Sequence, residues 1–84
     1  MKLMLFTGSW CQPCKQMKGI AEEVADSHGT ELEIYDVEKD AEIANAYMIR
    51  GVPTLLIIGA DGEIIDRATS LVSKEWVIER IKED

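Results

Sequence analysis

Cys11 and Cys14 are the only cysteines in this 84-residue chain. Both lie in the run Trp10-Cys11-Gln12-Pro13-Cys14-Lys15, where a short apolar stretch gives way to a helical pattern. Thiols at this spacing can reach each other. A helix start places free N–H groups and the positive end of the helix dipole beside the leading sulfur, which favours its thiolate. An ordinary thiol of pKa about 8.5 is only about 3% ionised at pH 7, whereas one brought down to about 7 is roughly half ionised. The gain in rate is smaller, because nucleophilicity falls with pKa. Cys11 is therefore the candidate nucleophile. Cys14, one turn on, would attack a mixed disulfide at Cys11 and release reduced product. As a staple the pair is poorly placed, since closing so short a loop stabilises a fold by about 2 kcal/mol at most. The bland alternative is a pair of inert core cysteines.

Neighbouring residues refine this reading. Pro13 fixes backbone shape at the second helical position and lacks an N–H that would otherwise need a partner. Residues 1–20 hold Lys2, Lys15 and Lys18 and no acid, a charge of +3 within a chain of net charge −7. The remainder is strongly acidic, so the cysteines sit in the one basic stretch. Lysines near a thiol favour the thiolate, although Lys15 and Lys18 also read simply as a solvated helix face. Trp10, in a loop beside Cys11, is expected to be half exposed, against the alternative of a core aromatic. Trp76 reads as packing on the last helix. His28 is the only histidine, and a closed zinc site needs four ligands. With no second Cys or His pair, His28 reads as a helix-end residue and no metal is expected.

Several elements must position these groups. Residues 2–7 form an apolar run whose length suggests a strand buried on both faces. Cys14, Met17, Ala21, Val24 and Ala25 then recur at helical spacing, with Ile20 widening the stripe. His28 and Gly29 end that helix. Glu31–Val37 alternates as a strand. Asp40 can cap a second helix with Ile43, Ala44, Tyr47 and Met48 inward and Gly51 past its end. Thr54–Ile58 is a continuous apolar strand, Gly59–Gly62 a hairpin turn and Glu63–Arg67 the return strand. Ser73 caps a last helix with Val77, Ile78 and Ile81 inward. The order β-α-β-α-β-β-α predicts an α/β fold with a four-stranded mixed sheet, spatial order 2-1-3-4, and three helices. Two right-handed crossovers would make three strands parallel, and the hairpin would add a last, antiparallel strand.

With 84 residues and 46% hydrophobic content, one domain spanning 1–84 with a buried core is expected. The acidic balance argues against nucleic acid and anionic membrane as partners. No stretch approaches a membrane span, and the apolar run after Lys2 is too short for a signal-peptide core. The chain therefore reads as cytoplasmic, a setting in which a cysteine pair is more often catalytic than structural.

Trp-Cys-x-Pro-Cys-Lys resembles the active-site signature of thioredoxins, and Gly51-Val52-Pro53-Thr54 resembles their second hallmark, a cis-proline loop facing the cysteines. The likeness runs from Met1 to about Lys82, starting without the N-terminal strand and helix of full-length members. In size the chain is similar to glutaredoxins, like the small thioredoxin-like hybrids of archaea and phages. The resemblance implies a minimal thioredoxin fold and reduction of protein disulfides by dithiol–disulfide exchange. It implies no bound cofactor, with electrons from NADPH through a separate flavin reductase, and a monomer. It also implies a cis bond at Val52–Pro53, which would present the Val52 backbone to an extended substrate segment beside Cys11. By the same likeness Trp10 shields the site and contacts substrates with Val52, Pro53 and Thr54. Gln12, where glycine is commonest, and Pro13 would tune the redox potential, and Lys15 would support the site.

The chain departs from the family at three places. The buried aspartate six residues before the first cysteine is Leu5 here, and its paired lysine is missing from Leu32-Glu33-Ile34-Tyr35. Proton movement at Cys14 must then rely on water or another acid. A glycine that lines the family's groove is absent from Ala68-Thr69-Ser70-Leu71. Other readings stay open at this stage: a glutaredoxin-like enzyme recharged by glutathione, a binding module with incidental redox chemistry, and a structural zinc module. The glutathione-binding signatures of glutaredoxins are not found.

Overall fold

The computed structural model describes residues 1–82. Glu83 and Asp84, within the expected 1–84 domain, lie outside the described residues. The elements are β1 (Lys2–Thr7), α1 (Gln12–His28), β2 (Glu31–Asp36), α2 (Ala41–Ala46), β3 (Thr54–Ile58), β4 (Ile64–Ala68) and α3 (Lys74–Lys82). They build one four-stranded sheet in the order β2-β1-β3-β4, as expected.

Successive strand residues point to opposite faces, and β1 and β3 are apolar at every second position on both. Leu3, Leu5, Leu55 and Ile57 pack with Met17, Ala21 and Val24 of α1 and Val77 of α3. Met4, Phe6, Leu56 and Ile58 pack on the other face with Ala44 of α2, flanked by Ile43 and Tyr47. The sheet therefore lies between α1 with α3 and the shorter α2. Each fully buried Leu, Ile, Val, Phe or Met among them contributes about 1.5–3 kcal/mol over its exposed state, which makes β1 and β3 the firm centre from which the site is hung.

One expectation is corrected. β1 and β2 are parallel, but β3 runs antiparallel to β1, with Phe6 beside Thr54 and Lys2 beside Ile58. Three parallel strands do not form. The reason is length: a six-residue helix rises only about 9 Å, whereas crossing back along a six-residue strand takes about 20 Å. The chain stays at the end where β2 finishes and re-enters the sheet there. That is why Pro53 lies at the cysteine end of the molecule. β4 is antiparallel to β3, with Leu55 beside Ala68, and this brings Thr69–Leu71 to the same end.

Helix ends follow local chemistry. Gly29 adopts the left-handed conformation (φ 60°), and its N–H bonds Ala25 O. Ser73 Oγ accepts from Trp76 N–H at 3.1 Å. α2 is shorter than expected, and Asp40, though at its N-cap, makes no side-chain cap bond. Its Oδ2 accepts from Asp36 N–H at 3.0 Å instead. Met48 is not on the apolar face. It has φ 57°, it is 65% exposed, and Ile49 packs inward in its place. Ile49 N–H to Ala44 O and Met48 N–H to Asn45 O close the helix around this left-handed residue. The return strand begins one residue later than expected, at Ile64.

Candidate functional site

The site lies where β1 ends and α1 begins. Past Thr7 the chain turns through Gly8-Ser9-Trp10, and Cys11 N–H bonds Gly8 O at 3.1 Å. An added Cβ at Gly8 would sit 2.7 Å from the Trp10 ring, so a side chain there would displace the indole. The indole thus lies over the Gly8 backbone and is 62% exposed.

Cys11 is the N-cap of α1 in extended conformation (φ −94°, ψ 111°). Its Sγ accepts from the Cys14 backbone N–H at 3.2 Å. The four first N–H groups of a helix have no partner within it, and here one of them is aimed at a sulfur. Cys11 and Cys14 are joined as a disulfide, with Cα atoms 5.3 Å apart. Both are buried, Cys11 at 7% exposure and Cys14 at 3%. Gln12, Pro13 and Lys15 are exposed on the first turn of α1.

The second half of the site is the loop before β3. The Val52–Pro53 bond is cis. Val52 is half-buried and Pro53 buried. A groove of about 490 Å³ runs between Gln12, Pro13 and Lys15 on one side and Val52 and Pro53 on the other. Thr69, Ser70 and Leu71 form its third wall. Trp10 and Val52 share an adjoining hollow of about 170 Å³. The two hallmark segments, some forty positions apart along the chain, are therefore brought together. Thr54 is nearly fully buried, with its hydroxyl donating to Gly51 O at 2.7 Å, so it braces the loop from behind.

Behind the cysteines a pocket of about 190 Å³ is lined by Thr7, Cys11, Cys14, Lys15 and Lys18. Leu5 is fully buried in the apolar cluster with Met17 and Ala21, and no ionisable group takes the place of the family's aspartate there. His28 lies in the last turn of the 17-residue α1, about 25 Å along the helix from Cys11. Trp76 packs against the core with the Arg80 guanidinium 3.7 Å over its ring. Arg50 and Arg67, absent from the sequence-based site, face a further cavity beside the groove. Arg50 directly precedes the Gly51–Thr54 loop, whereas nothing in the local sequence marks Arg67, which the sheet topology brings there.

No described helix is long and apolar enough to cross a membrane. The family model for thioredoxin matches residues 1–83. Thioredoxin of Bacillus subtilis is 33% identical over 78 residues, covering 90% of this chain and 74% of that protein. Thioredoxin 1 of Thermosipho africanus superposes with a TM-score of 0.89 at 25% identity, covering 99% of this chain and 92% of that one. A mutant thioredoxin of Halobacterium salinarum gives 0.88 at 31% identity, covering 96% of this chain and 71% of that one. Kinship over nearly the whole length, in sequence and in fold, settles the matter: the chain belongs to the thioredoxin family and is a thiol–disulfide oxidoreductase.

Proposed function

We propose that this protein reduces disulfides in other proteins, with Cys11 as nucleophile and Cys14 as resolving thiol. The observation that carries the reading is the Cys14 N–H aimed at Cys11 Sγ from the first turn of α1. In the oxidised protein that sulfur is neutral; once the pair is reduced, the same N–H, with the helix dipole behind it, makes a charge-assisted bond to a thiolate and favours it over the thiol.

In the forward reaction the Cys11 thiolate attacks one sulfur of the substrate disulfide. The substrate S–S bond breaks, its other sulfur leaves as a thiolate and takes up a proton, and a mixed disulfide forms at Cys11. Cys14 gives up its proton and attacks Cys11 Sγ. The second substrate sulfur leaves and is protonated in turn. Two electrons have passed to the substrate, and the Cys11–Cys14 disulfide remains. Leu5 offers no acceptor for the Cys14 proton, so water in the pocket behind the cysteines receives it. Trp10, Val52 and Pro53 hold the substrate segment along the groove, Thr54 steadies the loop, and Gln12, Pro13 and Lys15 shape the electrostatics of the first turn.

The dithiol is then restored by a separate NADPH-dependent thioredoxin reductase, with no cofactor held by this chain, which works as a cytoplasmic monomer. Thioredoxins use their own redox-active disulfide rather than a prosthetic group. The test is insulin reduction in the presence of NADPH and a thioredoxin reductase. Wild type turns over, Cys11→Ser is inactive, and Cys14→Ser accumulates a mixed disulfide at Cys11. Turnover by the double Cys→Ser variant would sink the proposal. Recharging only by glutathione would replace the reductase part of it.

A further inference from the structure

The charge around the groove runs against the composition of the chain. Acids outnumber Lys and Arg 16 to 9 overall. Yet the four cavities that meet around the cysteines and the Val52–Pro53 loop have four cations on their walls, Lys15, Lys18, Arg50 and Arg67, and not one carboxylate. All four cations are exposed. Among the described residues the ion pairs are those of Lys2, Lys74 and Arg80, none of which lines these cavities. Arg67 is exposed, and its Nη2 donates to Tyr47 O at 3.2 Å.

The cations also stand on opposite sides of the groove. Lys15 lies on the α1 wall, with Lys18 in the pocket behind it. Arg50 and Arg67 line a cavity of about 500 Å³ that shares Thr69 with the groove. Arg50 also lines the hollow beside Trp10.

Resting on the disulfide-reductase reading above, we infer that the preferred substrates are polypeptide segments in which acidic side chains flank the reactive disulfide. A segment laid over Val52–Pro53 advances about 3.3 Å per residue, so carboxylates within a few positions of the cysteine reach cations on both sides. A small anionic disulfide such as oxidised glutathione fits less well, because a single groove of this size already holds a ligand of that bulk, whereas the cations are spread over adjoining cavities. The strongly acidic remainder of the chain repels an acidic substrate elsewhere and so directs it to this end.

The experiment uses fully reduced protein in single turnover against disulfide-linked dimers of one short peptide, with Glu, Gln or Lys on each side of the cysteine. Each rate is divided by that for dithiothreitol, whose attacking thiolate carries one negative charge as that of Cys11 does, which removes both the intrinsic reactivity of the peptide disulfide and its effect on an anionic nucleophile. At low ionic strength the Glu peptide is expected to react about tenfold faster than the Gln peptide, with Lys slowest. The Glu/Gln ratio is expected to fall toward one in about 0.5 M NaCl, where screening reaches only a few ångströms, and to fall at least about threefold in Arg50→Gln/Arg67→Gln. The salt series needs no variant and stands whether or not the double variant folds. Equal normalised rates, preference for Lys, or faster reaction of oxidised glutathione than of the Glu peptide would overturn this inference alone. Failure to reduce any peptide, Gln included, would overturn the disulfide-reductase reading and this inference with it.

Discussion

At the scale of single residues, polar groups in this small protein have specific partners. Tyr35 Oη donates to Glu33 Oε1 at 2.7 Å, and Lys2 Nζ lies 3.5 Å from the other carboxylate oxygen. The bond from Tyr35, aided by Lys2, holds the Glu33 carboxyl below its ordinary value. The same bond, with desolvation, pushes Tyr35 up to about 12. For Tyr35 the folded value exceeds the unfolded one, so its contribution to stability is whole below about pH 10 and is lost as pH rises toward 12. For Glu33 the folded value is depressed, so its contribution is present above the ordinary carboxylate value and is lost as pH falls. In a Tyr47→Phe background, where Tyr35 is the one remaining tyrosine, tyrosinate absorbance should therefore rise near pH 12. Adding Glu33→Gln should bring that rise down toward the ordinary value of about 10. An unchanged curve would show that the carboxylate charge is not the cause.

Helix ends give a matched pair of predictions at the scale of elements. Gly29 and Met48 both take the left-handed conformation that closes a helix, but one is glycine and the other is not. A left-handed side chain costs about 1–2 kcal/mol, against a smaller penalty for the extra freedom of glycine when unfolded. Gly29→Ala should therefore lower stability by about 1 kcal/mol, and Met48→Gly should raise it by a few tenths to about 1 kcal/mol, since the Met48 side chain is mostly in water. Urea midpoints at constant m-value check both. The element order and most boundaries are legible in the sequence, because apolar period and caps such as Ser73 are local signals. The direction of β3 is not, because a continuous apolar strand reads the same both ways and only the length of its connection decides. Pro53 holds the clue: it can face Cys11 only if β3 starts where β1 ends. The end of α2 is hidden because Tyr47 and Met48 both suit an apolar stripe, and the left-handed turn at Met48 leaves no mark in residue type. The cysteine–proline constellation is legible because its residue types are diagnostic. The groove position of Thr69–Leu71 is legible only through the family resemblance, and Arg67 is not legible at all, because tertiary topology alone brings it beside the groove.

For the molecule as a whole, two tightly packed central strands carry the site at one end, and the cysteine pair adds little to the hold of the fold. Cys11 and Cys14 close only a four-residue loop, so oxidised and reduced protein should differ in unfolding free energy by about 2 kcal/mol at most. A much larger difference in urea titrations would make the pair a structural staple. The central claim is that the geometry at the start of α1 makes Cys11 the ready thiolate of the pair and leaves Cys14 behind it. The most direct measurement is alkylation of the fully reduced, folded protein by iodoacetamide across pH, with each cysteine resolved by mass spectrometry. Cys11 should be modified first, and its rate should rise at distinctly lower pH than that of free cysteine under the same conditions. A Cys11 profile that follows free cysteine, or modification of Cys14 first, would contradict the account.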